Sequence, residues 1–441
     1  MVGMRLLFFS VVLLSSLLSF SSAVPAGLEL EEASLNATSD PLLSSRSLEK
    51  REVFNHCNNA GFSGTLSQAL KDATVILSNM VDHLELAISL YKDDDSGELK
   101  PEKASRDMRT FDEHNAFVSY IMFISKIYWG PGDHRNKEGL KTLKGTRDLA
   151  QTMKNQYEAY QQGRSIPWTR GGIPYINIFC DDDDVYSERN SAGLTYTEDQ
   201  GLSNPSRAKG GGLVYWVSQT KGAPEGKEIW IPLLEVCATQ EGKGQKRFGI
   251  VPASPGIKAY VYRALYGLVE ETMVFCPLRF DSWMATESNR LGEGYHYRDL
   301  HVKIGSEPTD EQKAASKKLM GLSDFTTGKP PRATRWLSDF LVLTMIHEST
   351  HAEAFTGPGK TLDDIMCKNW QTDEVTQRST DPGCMAQIAK GTDGTDEHGN
   401  MQGHKDAEAF AMYAMTTWVN SVYWYSGYLP KDRDNWNPKK Q

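Results

Sequence analysis

From Thr65 to Tyr91 apolar residues return every third or fourth position, at Leu66, Ala69, Leu70, Ala73, Ile76, Leu77, Met80, Leu84, Ala87 and Ile88. That is the period of a helix with one buried face. The same spacing predicts helices over about Thr110 to Tyr128, ended by Gly130-Pro131-Gly132, and over the more polar stretch Leu140 to Gln162. Between Pro174 and Val251 the texture changes to short β-type runs, at 175–179, 213–217 and 229–231, separated by Gly, Asn, Pro and Ser clusters. These read as hairpins or a small sheet. Ile257 to Leu268 reads as another helical stretch, and Met273 to Pro277 as a short buried strand. Glu307 to Thr334, rich in Lys, Gly and Pro, reads as a surface connection. The apolar run Phe340 to Ile346 then opens a helix capped near Ser338 or Asp339, and Asp406 to Trp424 reads as the last strong helix. The fold class expected is α+β, mostly helical with a small sheet.

The two ends differ from this body. Met1 to Ala23 has one early positive charge, an apolar core and a small-residue end, which is the pattern of a secretory signal. Val24 to Arg51 is acidic, serine-rich and poor in aromatics, carries the sequon Asn36-Ala37-Thr38, and closes on Lys50-Arg51. It reads as a propeptide whose removal leaves a chain starting at Glu52. About 390 residues then remain, enough for one large elaborated domain or for two divided near residue 250. All six cysteines lie in that part, and no C-x-x-C spacing occurs. Disulfides are therefore expected, with Cys367 and Cys384 the locally plausible pair. No later stretch approaches the length of a membrane span. The formal net charge of −9 offers no general basic patch for nucleic acid or an anionic membrane. The expectation is a secreted, extracellular monomer.

Chemistry concentrates in His347-Glu348-Ser349-Thr350-His351. Histidines four apart on a helix share a face and can reach one divalent ion, with the glutamate between them as base. Zinc needs at least one more protein ligand. Two acidic runs are weaker: Asp93 to Gly97 fails as a calcium loop because Lys92 and Lys103 occupy the first and twelfth positions, and Asp181 to Asp184 reads as solvated loop. Gly210-Gly211-Gly212 lacks the Lys of a phosphate loop and reads as a turn.

Thr361-Leu362-Asp363, whose aspartate lies twelve residues after His351, resembles the element that supplies an aspartate ligand in the fungal deuterolysin-like secreted zinc metalloendopeptidases, the aspzincins, which include peptidyl-lysine endopeptidases. Asp406-Ala407-Glu408 with its helix, Met273 to Pro277, and Cys57 with the helix after it resemble further elements of that family. Lys360 and Ile365-Met366 depart from its pattern, and the chain is about twice the length of a compact member. The resemblance implies a zincin-like fold, a Zn²⁺ ion on His347, His351 and Asp363, Glu348 as general base, and protein or peptide substrates. Asp364, Glu408, His398, His404, Asp393 and Asp396 remain alternatives for the third ligand. Asp406 reads as a helix N-cap or as the hydrogen-bond partner of a ligand histidine. Tyr413 is a candidate oxyanion donor or a core residue. The competing functional class is a secreted zinc-binding surface protein of the same fold without protease activity.

Overall fold

The computed structural model describes residues 57, 60–124, 137–162, 176–180, 213–217, 229–233, 236–237, 246–247, 251–254, 258–262, 271–288, 296–321, 332–365, 367–368, 375–376, 403–424 and 430–433. The expected signal, the expected propeptide, the Asp181 to Asp184 run, the glycine triplet and the Cys367–Cys384 pairing lie outside them. All the described residues fall within one compact unit. It is mostly helical, with a small mixed sheet.

Helix α1 (Ala60–Ser89) is the spine of the core. Its predicted apolar stripe is buried from Leu66 to Ala87, and it packs against α2 (Phe111–Phe123), α3 (Lys137–Gln161) and two later helices that carry the candidate site. Polar residues on the stripe act as ties. The Asn79 Nδ2 donates to Thr417 O at 2.9 Å, and Asp72 receives Tyr297 and Arg298 from the turn at Tyr297–Leu300. Thr110 caps α2 through a reciprocal box with Glu113, satisfying two orphan helix-start donors. Asp93 to Gly97 forms a tight turn, with Asp95 in the left-handed region and paired to Lys144.

Strands β1 (Ile176–Phe179), β7 (Ala259–Tyr262) and β8 (Glu271–Phe275) make the principal sheet. β8 lies between its neighbours, parallel to β1 and antiparallel to β7, and all five of its residues are buried. Pairing with β8 is also why Ala259 to Tyr262 is strand and not the expected helix: Tyr260, Val261 and Tyr262 suit a pleated edge, and tertiary pairing overrides the weak helical spacing. Two disulfides staple this sheet at strand ends, Cys57–Cys180 just after β1 and Cys237–Cys276 just after β8. Smaller pairings involve β2 (Leu213–Val217) with β3 (Ile229–Leu233), β4 (Val236–Cys237) and β5 (Lys246–Arg247) with β6 (Val251–Ser254), and β9 (Cys367–Lys368) with β10 (Val375–Thr376). Helix α4 (Pro277–Ser288) follows β8.

The expected surface connection contains helix α5 (Asp310–Gly321). Its start is a capping box in which Thr309 and Gln312 exchange side-chain and backbone contacts at 3.2 and 2.8 Å, and its Ala315 and Leu319 are fully buried. Helix α6 (Arg332–Ser338) precedes α7 (Leu341–Thr350), which carries the two site histidines. Neither Ser338 nor Asp339 caps α7. Ser338 still ends α6, its carbonyl taken by Lys258 Nζ at 2.8 Å, while Phe340 occupies the cap position without a side-chain bond. Phe340 sits there because its ring is buried 4.7–4.9 Å from Tyr297, His296 and Trp336, and packing outweighs the missing cap. After the short helix α8 (Glu353–Thr356), α9 (Ala407–Trp418) is also shorter than its apolar pattern suggests. Asn420 breaks it by pairing both side-chain groups with the backbone of Val302 at 2.7 Å. The chain then enters β11 (Val422–Trp424), antiparallel to β12 (Pro430–Asp432). No described helix is long and apolar enough to cross a membrane.

Two core histidines make acid lability an expected property. His83 is fully buried on α1, and His114 is buried on α2. Burial first, with His301 beside His83 and Arg109 and Arg106 beside His114, pushes both pKa values down to about 3 from 6.5. At these two sites the folded protein therefore binds fewer protons than the unfolded chain below pH 6.5. Stability present above that value is lost as pH falls towards about 3, at about 1.4 kcal/mol per pH unit for each histidine. In urea unfolding between about pH 5 and about pH 4, His83→Met should reduce the pH slope of the unfolding free energy by about one proton's worth. Equal slopes in the two proteins would refute this account.

Candidate metal centre

All ten residues of α7 are buried, so the helix is a core element whose last turn reaches the site. From α3, Tyr157 holds it in place, its hydroxyl donating to Met345 O at 3.1 Å and hydrogen bonding to Ser349 Oγ. After His351 the chain turns through α8, whose first two amides, Glu353 N and Ala354 N, each bond the carboxylate of Glu271 on β8 at 2.8 Å. Gly357 and Gly359, with φ of 90° and 67°, make the reversal that side-chain-bearing residues resist. The returning strand is then registered against the helix: Leu362 N donates to Thr350 O at 2.8 Å.

This return brings three ligand-type atoms together. Nε2 of His347 and Nε2 of His351 are 3.3 Å apart, and Oδ1 of Asp364 lies 3.1 Å from the first and 3.3 Å from the second. Among the described residues these three form a group able to hold a metal ion. The third atom comes from Asp364, not from the expected Asp363. Asp363 makes a parallel bridge to Asp406, its N donating to Lys405 O and its O accepting from Ala407 N, both at 2.9 Å. Successive residues of an extended segment point to opposite sides, so fixing Asp363 on one side turns its neighbour toward the histidines.

The far side of each imidazole also faces an oxygen. Leu362 O lies 2.9 Å from His351 Nδ1, which suits an Nδ1–H donor and leaves Nε2 as the lone-pair atom facing the group. Oε2 of Glu408, on the first turn of α9, lies 2.9 Å from His347 Nδ1. Glu408 is thus placed behind a histidine and outside the three-atom group. Asp406 caps α9 through Ala409 N at 2.8 Å, and its other oxygen accepts from Ile365 N at 3.1 Å, so its second contact is to backbone and not to a histidine. His404 lies in the Gly403–Lys405 turn outside the group, and His398, Asp393 and Asp396 are outside the described residues. Tyr413 is fully buried with its ring 6.0 Å from Tyr120, and its hydroxyl has no partner among the described residues, which makes it core.

The electrostatics agree with this geometry. Burial alone would lower the His347 pKa, but the carboxylates of Asp364, Glu408 and Glu348 outweigh it and hold the imidazole well above 6.5. Burial would raise Asp364, yet the two imidazoles hold its carboxyl well below the ordinary range. Burial pushes Asp406 up to about 7 against the pull of its two amide donors. Glu348 is buried on the helix between the histidines and is not one of the three grouped residues.

The Leu362 carbonyl carries no sequence signal. Asp406 is legible as an N-cap because an acidic residue at a helix start accepts from the first free amides, whereas Glu408, an expected alternative ligand, lies behind His347 instead. Scans against protein-family models, curated proteins and solved structures find no match for this chain.

Proposed function

We propose that this chain is a secreted zinc-dependent endopeptidase of zincin-like fold, with His347, His351 and Asp364 as the metal ligands and Glu348 as general base. The observation that carries the reading is the triangle of two Nε2 atoms and one carboxylate oxygen with sides of 3.1–3.3 Å. Ligands about 2.0–2.1 Å from a tetrahedral zinc are about 3.3–3.4 Å apart, so the donor set suits that ion in size as well as in chemistry. The disulfides and the leader-like first residues suit an exported protein.

When bound, zinc supplies Lewis acidity, lowering the pKa of a water in its open position towards about 7 and polarising the substrate carbonyl. The remaining work falls to the chain. The Leu362 carbonyl and the Glu408 carboxylate orient the two imidazoles. Glu348, one residue after His347 and three before His351, accepts the proton of the attacking water and returns it to the leaving amine. Its position between the histidines favours hydrolysis over metal storage, since a binding-only site needs no base.

The test is hydrolysis of casein by the purified protein before chelation, after chelation and after added zinc. Activity should disappear with the metal and return with it. Activity that persists once zinc is demonstrably removed, or its absence in all three samples, overturns the proposal.

A further inference from the structure

We infer that Asp406 is a positioning residue for the metal centre: its single carboxylate clasps the ligand-bearing segment 362–365 to the N-terminus of α9 and so holds Asp364 in register with the two histidines. The inference rests on the reading of His347, His351 and Asp364 as metal ligands.

Asp364 comes from an irregular return segment, and such a ligand is only as well placed as its flanking backbone. That backbone is held on both sides of Asp364. Before it, Leu362 N bonds Thr350 O at 2.8 Å, Leu362 O faces His351 Nδ1 at 2.9 Å, and both backbone groups of Asp363 bond Lys405 and Ala407 at 2.9 Å. After it, the bond from Ile365 N goes to Asp406 Oδ1 at 3.1 Å. The other oxygen of Asp406 accepts Ala409 N at 2.8 Å, the N-cap bond of α9. One buried side chain, 2% exposed, thus joins the ligand segment to the helix that carries Glu408 behind His347. Only a carboxylate has an acceptor oxygen for each amide. An asparagine would turn an NH₂ group toward one of them, and a serine could keep the cap but not reach the second donor.

The roles of cap and clasp can therefore be separated. Zinc affinity is measured by competition with a chromophoric chelator for the wild type, Asp406→Ser, Asp406→Asn and Asp364→Ala, with thermal melting of each metal-stripped protein. Visible spectra are also taken with Co²⁺ in place of zinc. Both Asp406 variants should bind zinc about 10–100-fold more weakly, the range for loss of a group that orients a ligand. Asp406→Ser should melt with the metal-stripped wild type because its cap survives, and both should weaken the tetrahedral Co²⁺ bands. Wild-type affinity and spectra in both variants overturn the inference. So does a loss of affinity fully matched by a loss of melting temperature, which would leave Asp406 as a helix cap alone. If Asp406→Ser does not fold, the near-isosteric Asp406→Asn decides by the same readouts. If wild type and Asp364→Ala bind zinc equally, the ligand assignment has failed and not the clasp.

Discussion

Glu348→Gln should leave a folded, zinc-binding protein whose kcat/KM on a peptide substrate is lower by about 10²–10⁴-fold, the usual contribution of a positioned general base. The change removes one ionisable oxygen and keeps the side chain's size, so packing of the buried residue on α7 is retained. His347, His351 and Asp364 are untouched, and zinc content should stay at that of the wild type. The informative measurement is kcat/KM together with bound zinc on the same preparation. A variant that keeps its zinc and also keeps wild-type turnover would remove Glu348 from the mechanism. One that loses both zinc and activity would place it in the support of the metal ligands.

The parts of this molecule legible in its sequence are those where one strong local pattern meets no competitor. Helix α1 is one, because the stripe of apolar residues that recurs at three and four from Leu66 to Ala87 is buried, while Val75, off that stripe, is exposed. The pair His347 and His351 is another, since a helical spacing of four allows one geometry. Misreadings arise where a second, longer-range interaction decides. Ala259 to Tyr262 becomes strand because β8 lies beside it, and α9 stops at Trp418 because Asn420 finds the backbone of Val302 from a distant segment. Neither partner is visible from the local pattern. Helix α5 is different: Thr309 and Gln312 spell a capping box, which polar composition around it obscures. At the site, the histidines follow from spacing, whereas the third ligand depends on a one-residue register set by the bridge between Asp363 and Asp406, some forty residues apart in the chain.

That register is open to a paired test with a large expected contrast. Asp364→Ala removes the oxygen that lies 3.1 and 3.3 Å from the two Nε2 atoms, and its zinc affinity should fall by more than the about 10–100-fold that loss of an orienting group costs, with activity falling alongside. Asp363→Ala removes an exposed side chain while leaving the backbone bonds to Lys405 and Ala407 in place. Its affinity and kcat/KM should stay within about threefold of wild type, the scale of an ordinary surface substitution. The comparison is sharp because the two aspartates are neighbours of identical chemistry, so general effects of charge on cation binding are nearly equal for both. What differs is the face of the extended segment each occupies. A reversed result, with Asp363→Ala losing zinc and Asp364→Ala keeping it, would require the segment to slip by one residue against α9. The Ile365-to-Asp406 bond would then have to break, and a shift in the backbone amide resonance of Ile365 on zinc binding would reveal it.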